Sequence, residues 1–220
     1  MGSIPVRAGR ERIVTVGSAE LIAVVRTGVE LRSFVSATCG ARDFSTGLAT
    51  FQPGGYLQLH RHTFSEAITV VQGEALLQVE SRTYRMQAMD CAHIPAGTAH
   101  RVCNQDLGGK LIVHSSFASA LPTRELLDQN FAVEERGFGD PLPGEPETVM
   151  RFANSPVYEL ADGAFFTDLF ARRFGAVGIC GDTGGSCPAR RCPATRTTST
   201  SRSPLSWGRR VAWCRGERMN

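Results

Sequence analysis

The segment Pro53-Gly54-Gly55-Tyr56-Leu57-Gln58-Leu59-His60-Arg61-His62-Thr63-Phe64-Ser65-Glu66-Ala67-Ile68 decides how this chain is read. It starts on a turn signal, runs into His60-Arg61-His62, and continues from Glu66 into an apolar run that ends at Gly73. In an extended backbone successive side chains point to opposite faces, so His60 and His62 share a face and lie close enough to hold one ion. Downstream, Pro95-Ala96-Gly97 turns the chain and His100 opens another strand. Three imidazoles and one carboxylate, His60, His62, Glu66 and His100, can surround a divalent metal and leave positions open for water or substrate. By alternation Tyr56, Gln58, Ile68 and Val102 share the ligand face and are expected to line the pocket, with Ile68 and Val102 better read as barrel filling. His93 and His114 have no patterned partner and read as ordinary satisfied residues.

Outward from this stretch, apolar or β-branched runs recur from about residue 12 to residue 117, broken by Gly28, Gly40, Gly73 and Asp106-Leu107-Gly108-Gly109. Short strands at this spacing, without helical periodicity, predict an all-β sandwich or barrel. One helix is expected over 121–130, with Thr123 as N-cap and Leu126 and Leu127 on one face. Residues 137–147 read as a Pro/Gly-rich linker, and 149–181 turn apolar and aromatic again.

The pattern resembles the cupin superfamily. Its first motif, Gly-x5-His-x-His-x3-Glu-x6-Gly, is met by Gly54, His60, His62, Glu66 and Gly73. Its second, Gly-x5-Pro-x-Gly-x2-His-x3-Asn, is met by Pro95, Gly97, His100 and Asn104, with Met89 in place of the first glycine. The resemblance implies a jelly-roll β-barrel over residues 30–118, preceded by N-terminal strands (1–29) that pack on it and followed by the helix and linker (119–148). It also implies one divalent transition metal (Fe, Mn, Ni, Zn or Cu) held by His60, His62, Glu66 and His100. Gly54 and Gly73 suit tight turns, and Asn104 is expected to tie a turn by hydrogen bonding.

The last part of the chain reads differently. Of the 220 residues, 1–181 hold sixteen basic and nineteen acidic side chains, a net of −3; residues 182–220 hold eight arginines against Asp182 and Glu217, a net of +6. Residues 149–181 suggest the start of a second cupin domain. At an offset of 135 residues Gly28 falls on Gly163, Gly40-Ala41 on Gly175-Ala176 and Phe34 on Leu169. The repeat then requires a His-x-His where Thr195-Arg196-Thr197 stands, and no histidine follows His114. A shifted reading frame permits histidine at 195 and 197, glutamate at 201 and, by compulsion from Trp207-Gly208, glycine at 208. The tail 182–220 is therefore read as disordered and out of frame, the shift falling near residue 181.

These observations set the expectations for function. The chain is expected to be a mononuclear-metal enzyme of dioxygenase type acting on a small organic substrate. The alternatives are a non-catalytic cupin that binds a small molecule or sugar, or a cupin isomerase. No catalytic acid or base is assigned; Tyr56, Gln58 and Arg101 are candidates by position alone. The scattered arginines of the tail form no nucleic-acid-binding motif, so no nucleic-acid partner is expected. No run approaches the roughly 20 apolar residues of a membrane span, and the expected location is the cytoplasm. A second barrel that cannot close would leave strand edges exposed and favour a homodimer.

Overall fold

A computed structural model describes residues 13–186 and the strand 210–214. The chain is all-β: strands and turns, with three-residue 3-10 segments as the only helices among the described residues. Ten strands come first: β1 (Glu20–Val25), β2 (Val29–Val35), β3 (Ser45–Phe51), β4 (His60–Arg61), β5 (Glu66–Gln72), β6 (Ala75–Val79), β7 (Arg82–Met86), β8 (Cys91–Ile94), β9 (His100–Cys103) and β10 (Leu111–Phe117). Three short strands follow, β11 (Glu125–Leu126), β12 (Glu134–Gly137) and β13 (Thr148–Met150). The last four are β14 (Tyr158–Ala161), β15 (Ala164–Phe170), β16 (Cys180–Ser186) and β17 (Arg210–Cys214).

Two sheets make the barrel. One has the order β1-β2-β3-β10-β5-β8-β13, the other β11-β4-β9-β6-β7-β12. Between them lies an apolar core that includes Phe51, Ile68, Val70, Leu77, Tyr84, Ile94, Val102 and Leu111. Side-chain alternation is strict where the strands are regular. On β5 and β8, Ile68, Val70, Ala92 and Ile94 face this core, whereas Ala67 and Cys91 face outward.

Of three expectations that the structure meets here, the first is corrected. No helix forms over 121–130. That segment is an irregular stretch that includes β11, whose backbone pairs with β4 through Glu125↔Arg61 and Leu126↔His60. Leu126 stays exposed, so there was no apolar helical face to bury. The linker over 137–147 is pinned to the barrel. The carboxylate of Glu147, itself buried, accepts hydrogen bonds from Arg82 at 2.7 and 2.9 Å and from the Tyr84 hydroxyl at 2.7 Å. Of the tail expected to lack order, 182–186 lie in β16 and 210–214 in β17, while 187–209 and 215–220 lie outside the described residues.

Met89, where the second motif has glycine, adopts a left-handed backbone with φ 75°. That conformation costs a non-glycine residue about 1–2 kcal/mol. Burial offsets it: the Met89 side chain packs among Leu169, Phe170, Ala176 and Ile179. The next residue, Asp90, accepts hydrogen bonds from Arg151 and from the backbone N–H of Phe152. The departure from the motif is thus the place where the 148–186 segment docks on the barrel.

That segment repeats the opening of the barrel. β2 pairs β3 from Val29↔Phe51 to Val35↔Thr46, with a bulge between Ser33 and Val35. β15 pairs β16 from Ala164↔Ser186 to Phe170↔Gly181, with a bulge between Asp168 and Phe170. Every pair, and the bulge, is displaced by the same 135 residues. The intervening 3-10 turns, Ala37–Cys39 and Arg172–Phe174, obey the same offset. Each ends on a left-handed glycine, Gly40 at φ 91°, ψ 8° and Gly175 at φ 88°, ψ 2°. The sheet order β14-β15-β16-β17 places β17 beside β16 as β10 lies beside β3.

Candidate metal centre

His60, His62, Glu66 and His100 come together inside the barrel, all buried, with one ligand-type atom from each lying within 4.8 Å of all the others. Strand pairing does most of this. β4 meets β9 with His60 directly opposite His100, and Glu66 opens β5 next to them. His62 sits in the link between β4 and β5, where its carbonyl accepts a 2.7 Å hydrogen bond from the Gly97 N–H. The Pro95-Gly97 turn therefore delivers His100 and at the same time fixes the link that carries His62. Asn104 ties the neighbouring turns: its amide donates to Gln52 O and Gly109 O, and its Oδ1 accepts from Asp106 N–H.

Each imidazole is held through Nδ1 by a backbone carbonyl: His60 by Gln58 O at 2.8 Å, His100 by Thr98 O at 2.9 Å and His62 by Thr123 O at 2.5 Å. An Nδ1–H donated to a carbonyl leaves the Nε2 lone pair free to ligate. Oε2 of Glu66 stands 2.9 Å from Nε2 of His100 and 3.1 Å from Nε2 of His62. The latter pair is near but misaligned, so His62 Nε2 is a buried polar atom without a hydrogen-bond partner. Three oriented imidazole nitrogens, one of them orphaned, around a carboxylate oxygen fit a divalent cation.

The protonation preferences of His60 and Glu66 agree with that fit. Burial, then the neighbouring His100, lowers His60 to about 4, so its ring is neutral at physiological pH. Burial also depresses His62, but the facing Glu66 carboxylate overrides it and the net shift is upward. For Glu66, burial favours the neutral acid, yet His100 and His62 hold the group well below the usual carboxylate range.

The remaining sequence candidates fall elsewhere. Ile68 and Val102 are part of the main apolar core. Tyr56 and Gln58 are exposed and do not line an interior pocket. Alternation fails there because residues 52–59 form no strand beyond the single bridge Tyr56↔Cys103, and Leu57 and Leu59 turn inward instead. Arg101 points away from the centre, donating to Gln78 Oε1 at 2.8 Å. His93 and His114 lie on the outer face of the seven-stranded sheet, against Val177 N–H and Thr46 Oγ1.

Two aromatic rings and a carbonyl at the site escaped the sequence reading. Phe64 stacks on His62 at a centroid distance of 5.0 Å, and Phe117 meets the same ring edge-on at 5.5 Å. Phe64 stands between two ligand candidates and was open to notice. Phe117 and Thr123 arrive from more than fifty residues away and carry no local signal.

A family model described as "Cupin domain" matches residues 47–113. No curated protein matches the chain. Among solved structures, the formate complex of oxalate decarboxylase from Lactobacillus farciminis superposes with a TM-score of 0.61 at 14% identity, covering 82% of this chain and 67% of that one. Oxalate decarboxylase from Bacillus subtilis at pH 4.6 gives 0.60 at 13% identity over 80% of this chain, which spans only 57% of the bacillar protein's length. The polyketide cyclase RemF from Streptomyces resistomycificus gives 0.48 at 17% identity, covering 55% of this chain and 88% of that one. At these identities the likeness is one of fold. Among the described residues no helix is long and apolar enough to cross a membrane.

Proposed function

From the premise that this chain is a member of the cupin superfamily, its domain falling at residues 47–113, we propose that it is a mononuclear-metal enzyme acting on a small organic substrate, with chemistry of dioxygenase type. The carrying observation is the orphaned, buried Nε2 of His62 beside Glu66, among three imidazoles whose Nδ1 atoms are all committed to carbonyls. Those residues would hold the metal; Phe64 and Phe117 give the centre an apolar flank. A redox-active divalent ion bound there would supply Lewis acidity and dioxygen activation. A cupin isomerase and a non-catalytic small-molecule-binding cupin are the alternatives, and oxygen uptake separates them from this reading. Location in the cytoplasm is part of the same reading.

The test is metal analysis of purified protein, followed by oxygen uptake with a panel of phenolic substrates. About one ion per chain with substrate-dependent uptake supports the reading. One ion with no turnover on any substrate leaves a metal-dependent binding module, and a folded protein that takes up no metal overturns both.

We read residues 149–181 as the opening of a second cupin barrel, supported by the register shared with β2–β3. Past that point the residues at the ligand positions are Thr195, Thr197 and Ser201 instead of His60, His62 and Glu66. A change of reading frame near residue 181 accounts for this. Sequencing the gene across codons 178–190, and comparing homologous copies from related strains, decides between a sequence error and a frameshifted allele.

A further inference from the structure

Two of the three imidazoles at the centre are oriented by carbonyls just ahead of their own strands. Gln58 O holds His60 and Thr98 O holds His100, each carbonyl two residues before its histidine. His62 differs, because its carbonyl belongs to Thr123, 61 residues along the chain. Thr123 lies on a strap that leaves β10 and returns along β4. The strap is fastened by β11 pairing with β4 and by a 2.9 Å hydrogen bond from Leu127 N–H to Leu59 O. Arg61 and Glu125 close it on the outside in a bidentate contact, Nε to Oε2 at 2.8 Å and a terminal guanidinium nitrogen to Oε1 at 3.0 Å. The strap has little core of its own: Leu121 and Leu126 are 67% and 56% exposed.

We infer that the Arg61–Glu125 clasp is a positioning device for the centre. By fastening the strap to β4 it keeps Thr123 O where it can hold the His62 ring with Nε2 aimed at the other three ligands. The inference rests on reading the quartet as a metal site. Arg61 lies between two ligand histidines, so the strand that presents the ligands also carries the anchor for the carbonyl that orients one of them. An exposed ion pair adds little to global stability. Groups that orient a ligating histidine, however, change metal affinity by about 10–100-fold. The expected signature is thus a loss of metal affinity without a matching loss of fold.

The test titrates metal-free wild type, Glu125→Ala, Arg61→Glu and the charge-swapped Arg61→Glu/Glu125→Arg protein with Co2+, following bound metal and the visible absorption of the complex. Glu74→Ala is the control, since it breaks a comparably exposed ion pair, Arg85–Glu74 at 2.8 Å, away from the strap. Each single clasp variant is expected to bind Co2+ about tenfold more weakly with an altered spectrum. The charge swap should recover both, Glu74→Ala should match wild type, and circular dichroism should show all five proteins folded. Wild-type binding with unchanged Glu125→Ala affinity and spectrum overturns the clasp alone, as does a loss in Arg61→Glu that the swap fails to restore. Absence of Co2+ binding in wild type overturns the metal reading, and the inference with it.

Discussion

The hairpins β2–β3 and β15–β16 share a register, a bulge and a left-handed glycine, yet among the described residues only the first leads to a filled barrel carrying a candidate metal centre. The difference lies in what the strands carry. In β3, Ala49 and Phe51 belong to the main core, and Gly47 lies so close to β2 that a Cβ there would sit 2.2 Å from Arg32 O. The residues at the same places in β16 are Gly184, Ser186 and Asp182. Turn and bulge signals suffice to start the architecture, but completing it requires apolar side chains at the inward positions and ligands beyond them.

Writing the second hairpin's residues into the first is the strongest way to test this. Phe51→Ser should destabilise the barrel by about 3–5 kcal/mol, as expected for emptying a fully buried aromatic position, and urea denaturation measures it. If the loss stays under about 1 kcal/mol, the inward positions do not carry the difference. Metal counting sharpens the contrast next. One ion per chain is expected, and His60→Ala or His100→Ala should weaken binding by more than about 100-fold, beyond the loss typical of outer-shell partners. A second ion per chain would contradict the assignment of a single site to the first barrel.

Acid should act on the outer face of the seven-stranded sheet, where His93 meets the second region at Val177. Burial lowers His93 to about 4 and His114 to about 3. Their unfolded value is near 6.5, so between that pH and about 4 the unfolded chain binds the extra protons and stability falls as pH falls. Within that window each ring contributes a slope of up to about 1.4 kcal/mol per pH unit, and His93→Gln should flatten part of it in a denaturation series. The smallest effect belongs to the second hairpin itself. Asp182 pairs directly across from Asp168, with its carboxyl raised by burial and then by that neighbour, and its Oδ1 is buried without a partner. Asp182→Gly, which restores the residue of the first hairpin, should stabilise the segment by about 0.5–1 kcal/mol, visible as slower amide exchange in β15 and β16.

Legibility followed distance along the chain. The His60-x-His62-x3-Glu66 spacing and the Pro95-x-Gly97-x2-His100 spacing are local, so the candidate ligands are legible in the residues alone. Tyr56 and Gln58 fall outside the ligand face because the stretch before His60 is not a regular strand and alternation does not carry through it. The 121–130 segment was misread as helix because its stabilising contacts, Glu125 with Arg61 and Thr123 O with His62, lie some sixty residues away.

By itself the sequence determined the all-β class, the quartet His60, His62, Glu66 and His100, and the 135-residue offset, since each rests on spacing within a strand or turn. Tertiary structure alone decided which carbonyl orients His62, which rings flank it, and why Met89 can stand where glycine is usual. Those outcomes depend on which surfaces fold against one another. A left-handed methionine becomes tolerable only when Leu169, Phe170 and Ile179 arrive to bury it.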